Sequence, residues 1–408
     1  MKKVWLLLAI VTGIAASDCR AQVEETIETS SNSNIEFASE TDDVWTPTLQ
    51  LCWNELIDLS GTWQIQYLKG NPPLADELNK QKFFKNDLSD EDYHISVGKL
   101  TVAHKNKIAE AIAEKFNETS DILDDFEWDE GPETNKWFIY SILKKDFPFT
   151  AEYDILKPDV FNQDETIKYK YFGYSPDEND DDVYNPGKYL NKEKMSELFY
   201  ANDDDFALKI KDKDNKEEMI LYLTSSEASF DEIYNEILRK SDKKGFYQDQ
   251  RKQKEKERIQ KENEASLLPV LIGEVVFKNY YKIPYLHIDE KFDLSEELGG
   301  IINGDMTIVK VLQTIQFDLD NAGARLKSET GMGGVLGMKM SIDINNYYYF
   351  DRPFVIFLKE ADKDKPYFAA RIKDGKYLVK SEDNNETERK EETSAKPMSE
   401  DEIMALFN

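Results

Sequence analysis

Near the C-terminus a strand opens into a long glycine-bearing loop and closes on a second strand, and this arrangement restricts the fold more than any other part of the chain. From Leu312 to Asp320 the residues alternate with period two. Ile315, Phe317 and Leu319 share one face, and Gln316, Asp318 and Asp320 share the other, the pattern of a half-buried strand. Asn321-Ala322-Gly323 breaks it. From Gly323 to about Asn346 there are five glycines and no predicted element, and an apolar run from Tyr347 to Leu358 follows. Structureless connections above roughly 15 residues are uncommon inside folded domains and are usually functional or disordered.

The run Tyr348-Tyr349-Phe350-Asp351-Arg352-Pro353-Phe354-Val355-Ile356-Phe357-Leu358 resembles the C-terminal signature of the serpins, and the segment before it resembles their reactive-centre loop and hinge. The signature proper is Phe350, Asp351, Arg352, Pro353 and Phe354. The resemblance implies an α+β fold: a large mixed central β-sheet, smaller β-sheets, surrounding helices and an exposed reactive-centre loop. It also implies a mechanism. A protease attacks the loop as a substrate, and the cut loop enters the main sheet as a new strand while the protease is still attached as an acyl-enzyme. The native state is then held kinetically away from a more stable one.

Insertion makes a demand on the hinge. The hinge comprises Gly323, Ala324, Leu326, Ser328 and Thr330; from Gly323 onward, Ala324, Leu326, Ser328 and Thr330 form the row that would turn inward, while Arg325, Lys327 and Glu329 would face solvent. Leu326 is the obstacle, because an oversized group in a tight slot costs on the order of 1–3 kcal/mol. The row also lacks the run of alanines that inhibitory members show, which shifts the balance from trapping towards substrate turnover. Counting along the loop by resemblance places the scissile bond near Gly337-Met338, with Lys339-Met340 and Met340-Ser341 as alternatives. A methionine before the cut suits chymotrypsin-, elastase- or subtilisin-like enzymes, and a lysine suits trypsin-like ones. The plainer alternative is that Gly331 to Met340 is a flexible surface loop.

Charge and compartment narrow the function further. A net charge of -29 leaves no basic field to neutralise phosphates, which argues against nucleic acid and anionic membrane surfaces. Lys2-Lys3, an apolar run from Val4 to Ile14 and the small residues Ala15-Ala16-Ser17 read as a secretory signal, cut after Ser17 or Ala21. The run is too short for a permanent membrane span. Lipoprotein anchoring at Cys19 is the alternative, disfavoured by Asp18 directly before it. Cys19 and Cys52 are the only cysteines, so no disulfide framework is available and packing must hold the fold.

Residues 1–21 are thus assigned to the signal, 22–41 to a disordered leader, 42–375 to the serpin-like domain and 376–408 to an acidic C-terminal extension. Thr46 as N-cap with Pro47 at the first helical position predicts a helix that buries Leu49, Cys52, Trp53, Leu56 and Ile57 and stops at Gly61. Asn71 to Lys99 is turn-rich. Val102, Ile108, Ala109, Ile112 and Phe116 predict an amphipathic helix, and Trp137 to Leu143 a central strand. That strand resembles the serpin strand leading into a Pro-Phe, here Pro148-Phe149, but Lys145 stands where the family carries a tryptophan. Phe206–Ile210 and Glu218–Leu223 read as paired strands, and Phe230 to Leu238 as a helix. Arg239 to Glu264 is almost wholly charged and reads as an exposed helix, with a polyanion site as the weaker reading. Leu267–Phe277 and Ile283–Ile288 return to strand character, and Pro366 to Ile372 resembles the final buried serpin strand.

Other chemistry finds little support. His94, His104 and His287 form no pair at metal-ligand spacing. Asp177 to Asp182 lacks the glycine and carboxylate of a calcium loop, with Asp182 and Lys188 standing in their places. Gly331-Met332-Gly333-Gly334 lacks the Lys-Ser/Thr of a phosphate loop. No cofactor, metal or enzymatic activity is expected. The expected protein is a secreted, periplasmic or extracellular monomer whose partner is a target protease. The second reading is a non-inhibitory serpin-fold scaffold with a binding or structural role.

Overall fold

The computed structural model describes residues 43–174, 194–263, 275–304, 306–324 and 342–381. All of them belong to the unit Ser31–Asn408. In chain order the strands are β1 (Asp43–Trp45), β2 (Tyr93–Lys99), β3 (Trp137–Leu143), β4 (Phe147–Pro148), β5 (Asp154–Phe161), β6 (Asp164–Tyr174), β7 (Met195–Asn202), β8 (Asp205–Lys211), β9 (Glu217–Leu223), β10 (Val275–Pro284), β11 (Leu286–Asp293), β12 (Gly300–Ile302), β13 (Met306–Ile308), β14 (Leu312–Leu319), β15 (Gly323–Ala324), β16 (Ile342–Tyr349), β17 (Phe354–Glu360) and β18 (Phe368–Ile372). The helices are α1 (Thr48–Ser60), α2 (Pro73–Leu78), α3 (Val102–Phe116), α4 (Phe230–Ser241), α5 (Lys244–Asn263) and α6 (Ser295–Leu298).

The expected α+β class is what the structure has. Its largest sheet has six strands in the order β1-β18-β17-β9-β8-β7, antiparallel throughout. β9 and β17 are buried along their whole length, their runs Met219–Leu223 and Phe354–Leu358 covered on both faces and their adjoining ends carrying buried charges. A second sheet runs β16-β10-β6-β5 and contributes parallel pairing, since β16 lies parallel to β10. One contiguous core joins both sheets to α1, α2 and α4.

Several expected elements appear with altered details. Leu312–Leu319 forms β14 with Gln313, Ile315, Phe317 and Leu319 buried, as the alternation requires. α3 has the expected span, with the Thr101 side chain capping the His104 amide. Ser229 and Glu232 close a capping box at the start of α4. Thr46, expected to cap α1, does not; its hydroxyl bonds Thr48 and the Gln313 amide instead, because the buried Gln313 needs a partner from α1. The turn-rich region 71–99 conceals α2 and β2. The loop closes at Ile342 rather than near Asn346, because β10 supplies a parallel partner that no local pattern reveals.

The C-terminal boundary also moves. Backbone bonds from Lys170, Val379 and Ser381 run to Val379, Tyr285 and Lys168, stitching residues 377–381 between β6 and β11 with Tyr377 and Leu378 buried. The folded part therefore includes the first six residues assigned to the extension. The signal, the leader, Cys19 and the acidic run 177–182 lie outside the described residues. No described helix is long and apolar enough to cross a membrane.

Candidate functional site

The apolar run Trp137–Leu143 predicts a central strand, yet among the described residues β3 hydrogen-bonds only to β2, and β14 only to β11. The strip is correspondingly only half buried, and Trp137 is exposed. Two ribbons, β2-β3 and β11-β14, thus each present an unpaired edge, the template for another strand.

The ribbons are joined where the loop begins and from behind, and β11-β14 is also bonded to the turn after α3. At one end Lys291 reaches the Asp125 carboxylate at 2.6 Å and Lys310 reaches the Asp125 carbonyl at 2.6 Å. Behind them, α1 packs against β3 while the hydroxyls of Thr46 and Thr48 accept bonds from Gln313 of β14. On β3, Phe138, Tyr140 and Ile142 face α3 and its small cluster, whereas Leu143 faces the main core. The edges of β3 and β14, neither paired beyond its own ribbon among the described residues, define a slot, with α1 packed behind β3.

At the other end the loop begins. β14 ends in a turn at Asp320–Gly323, where the Asp320 carboxylate accepts the Ala322 amide at 2.8 Å and Asn321 accepts the Tyr285 hydroxyl at 2.8 Å. Gly323 then pairs back with Asp320 on one side, and β15 pairs with β4 on the other, Gly323 opposite Pro148 and Ala324 opposite Phe147. Antiparallel to both neighbours, β15 therefore occupies the mouth of the slot. Gly323 is required there: its φ is +104°, and a Cβ would sit 2.4 Å from the Phe147 carbonyl oxygen and 2.6 Å from the Phe149 nitrogen.

Of the expected site residues, Gly323 and Ala324 lie in this mouth. Leu326, Ser328, Thr330, Gly337, Met338, Lys339, Met340 and Ser341 fall in the seventeen residues 325–341, outside the described residues. The loop's far end is anchored by β16 on β10, and the signature makes the corner beyond it. Phe350 is fully buried against Phe206 and Phe354. Asp351 pairs with Lys282 at 2.8 Å, Arg352 bonds the Asp203 carbonyl and the Asp204 carboxylate, and the Pro353 carbonyl accepts the Thr224 amide before β17 starts. Each signature residue thus helps to join β16 of one sheet to β17 of the other.

One group at the mouth had no pattern to announce it. Lys145, in the break between β3 and β4, is 8% exposed at its side chain and reaches Asp92 at 2.5 Å, Glu217 at 2.7 Å and Glu360 at 2.7 Å. Burial pulls its pKa down, but the three carboxylate bonds outweigh that and raise it. Burial pushes Glu217 up to about 7 despite Lys145. Glu360 is held low because its bonds to Lys145 and Ser89 overcome burial. The four residues come from four separate stretches of sequence, so only the position of Lys145 offered a signal.

The histidines do not converge. His104 bonds Ser96 and the Lys99 carbonyl, and His287 bonds Asp318 on the surface. The charged segment forms α5, and Arg251 turns inward to Glu197 at 2.9 Å and Asn346 at 2.8 Å between the rings of Tyr200 and Phe277.

No protein-family model and no curated protein matches this chain. Solved structures similar to it include a thermophilic serpin, tengpin, in the native state, at 10% identity over 88% of this chain and 96% of that one, TM-score 0.44. Maspin is similar at 8% identity over 82% and 92%, TM-score 0.44, and Serpin48 of the insect Tenebrio molitor at 12% identity over 82% and 92%, TM-score 0.41.

Proposed function

We propose that the chain is a divergent, exported serpin that inhibits serine or cysteine proteases as a suicide substrate. Its loop is cut between Gly337 and Ser341 and drawn into the slot between β3 and β14. The observation that carries this reading is the seating of β15: the first two residues of the loop already lie between β14 and β4, in the antiparallel sense an inserted strand needs.

The register supports the same reading. Continued from Asp320 opposite Gly323, it pairs Ala324 with Leu319, Leu326 with Phe317, Ser328 with Ile315 and Thr330 with Gln313, all four partners being buried. Counted along β4 and β3 it brings Ser328 opposite Leu143, which also faces the main core. Cross-strand partners share a face, so the row of Ala324, Leu326, Ser328 and Thr330 turns inward. Arg325 then falls opposite Asp318, outward, with opposite charge. Continued to the end of β3, the register reaches Gly334 opposite Trp137, just short of the expected cut.

Incubation with chymotrypsin-, subtilisin- and trypsin-like proteases tests the reading. An adduct stable in denaturing gels and a rise in thermal stability after cleavage are expected; clean cleavage with neither refutes inhibition. The second reading, a non-inhibitory binding scaffold, is favoured by one specific position. Leu326 would enter opposite Phe317 on one side and Lys145 on the other, which slows insertion relative to release of the protease.

A further inference from the structure

The far end of the loop is held by a strand with one neighbour. Among the described residues β16 pairs only with β10, in the parallel sense, so it is an edge strand that opens more readily than β9 or β17. We propose that Arg251 of α5 is a positioning residue for the loop: with Glu197 and Asn346 it clamps β16 in place, so that a protease meets only the bonds ahead of Ile342. The inference rests on the reading of the loop as a protease substrate and adds what fixes its far end.

The clamp is built from three elements. The Arg251 guanidinium donates to both Glu197 carboxylate oxygens of β7, at 2.9 and 3.1 Å, and to the Asn346 side-chain carbonyl of β16 at 2.8 Å. Asn346 donates in turn to Asn279 of β10 at 2.8 Å. The Glu197 carboxylate also accepts the Tyr348 hydroxyl and the Gln248 amide, and the Glu197 carbonyl accepts the Lys244 ammonium. Asn346 and Tyr348, two residues apart on one face of β16, are thereby both tied to α5 and β7. The rings of Tyr200 and Phe277, 4.6 and 4.9 Å from the guanidinium, enclose it.

Burial shows where the clamp acts. Ile344 is half-buried and Asn345 exposed, whereas Asn346, Tyr348 and Phe350 are buried. A strand unzipping from the loop therefore meets its first buried polar contact at Asn346. Opening there takes a partner from a buried charged donor, and bonds of that kind are the strong ones. A lysine at 251 would keep a positive charge beside Glu197 but lacks the planar fork that reaches Glu197 and Asn346 together.

The test uses the full chain, Arg251→Ala, Arg251→Lys and Asn346→Ala, the last of which keeps the Arg251–Glu197 pair. Amide exchange is compared between β16 and β9, and cuts by chymotrypsin- and subtilisin-like proteases are mapped by mass spectrometry. In both alanine variants the β16 amides should exchange at least about tenfold faster, relative to those of β9, than in the wild type. Within 323–349 the wild type should be cut only ahead of Ile342, whereas both alanine variants gain a chymotryptic cut after Tyr347. Arg251→Lys should fall between. Equal quickening of β16 and β9, with every cut in this stretch still ahead of Ile342, overturns the clamp and leaves the loop a substrate. A wild type left uncut throughout 323–349 overturns the substrate reading and the positioning role with it. Should Arg251→Ala fail to fold, Asn346→Ala decides by the same exchange ratio and cut map.

Discussion

Replacing Gly323 by alanine probes the seating of the loop at the slot. With φ at +104°, a side chain there is strained wherever its atoms go, at a cost of about 1–3 kcal/mol. The added carbon would also lie 2.4 Å from the Phe147 carbonyl oxygen and 2.6 Å from the Phe149 nitrogen, backbone atoms that no rotamer change can move. The Phe149 amide is bonded to Ala322 and the Pro148 carbonyl to Lys213, so β4 has little room to retreat. Release of β15 limits the loss, since it gives up only a few hydrogen bonds worth about 0.5–1.5 kcal/mol each. Gly323→Ala should therefore lower stability by about 1–3 kcal/mol in urea unfolding. The Phe149 amide should lose its protection from hydrogen exchange. A variant within about 0.5 kcal/mol of wild type, the scatter of an ordinary surface substitution, with Phe149 still protected, would refute the placement of β15.

Leu326→Ala removes the group that would lodge beside Phe317 and Lys145, and should raise the yield of protease adduct over cleaved product, read from band intensities in a denaturing gel. Arg251→Ala leaves Glu197, 9% exposed at its side chain, without its cation and should cost about 3–5 kcal/mol in denaturant unfolding. Lys145→Met strips three carboxylates of their ammonium. Without it, burial leaves the folded pKa values of Glu217 and Glu360 above their unfolded ones, so stability is present at low pH and lost as pH rises. Thermal melts should show the variant's deficit growing from pH 5 to pH 8 and shrinking again on acidification. A deficit independent of pH would mean the carboxylates are solvated rather than clustered.

Local patterns in the sequence carried much of the fold. Alternation gave β14 and its buried face, and helical spacing gave α3 and the body of α4. These are features that neighbours in sequence settle between themselves. β2 was illegible because its partners and its cover, β3 and α3, are supplied from later in the chain. The start of β16 was hidden for the same reason, its pairing being parallel to β10 about 67 residues earlier. Residues 377–381, too short a run to show a period of their own, are ordered by backbone bonds to β6, Tyr285 and β11.

At the candidate site the division is sharper. Consecutive residues suffice to specify a glycine-led loop with an alternating hinge ahead of an aromatic Asp-Arg-Pro-Phe corner, because period and turn chemistry are local properties. It took the folded chain to put Gly323 and Ala324 between two strand edges and to bring Lys145 onto Asp92, Glu217 and Glu360 beside them. An unpaired edge and a buried charge cluster are relations among segments up to 268 residues apart, and packing alone brings those segments together.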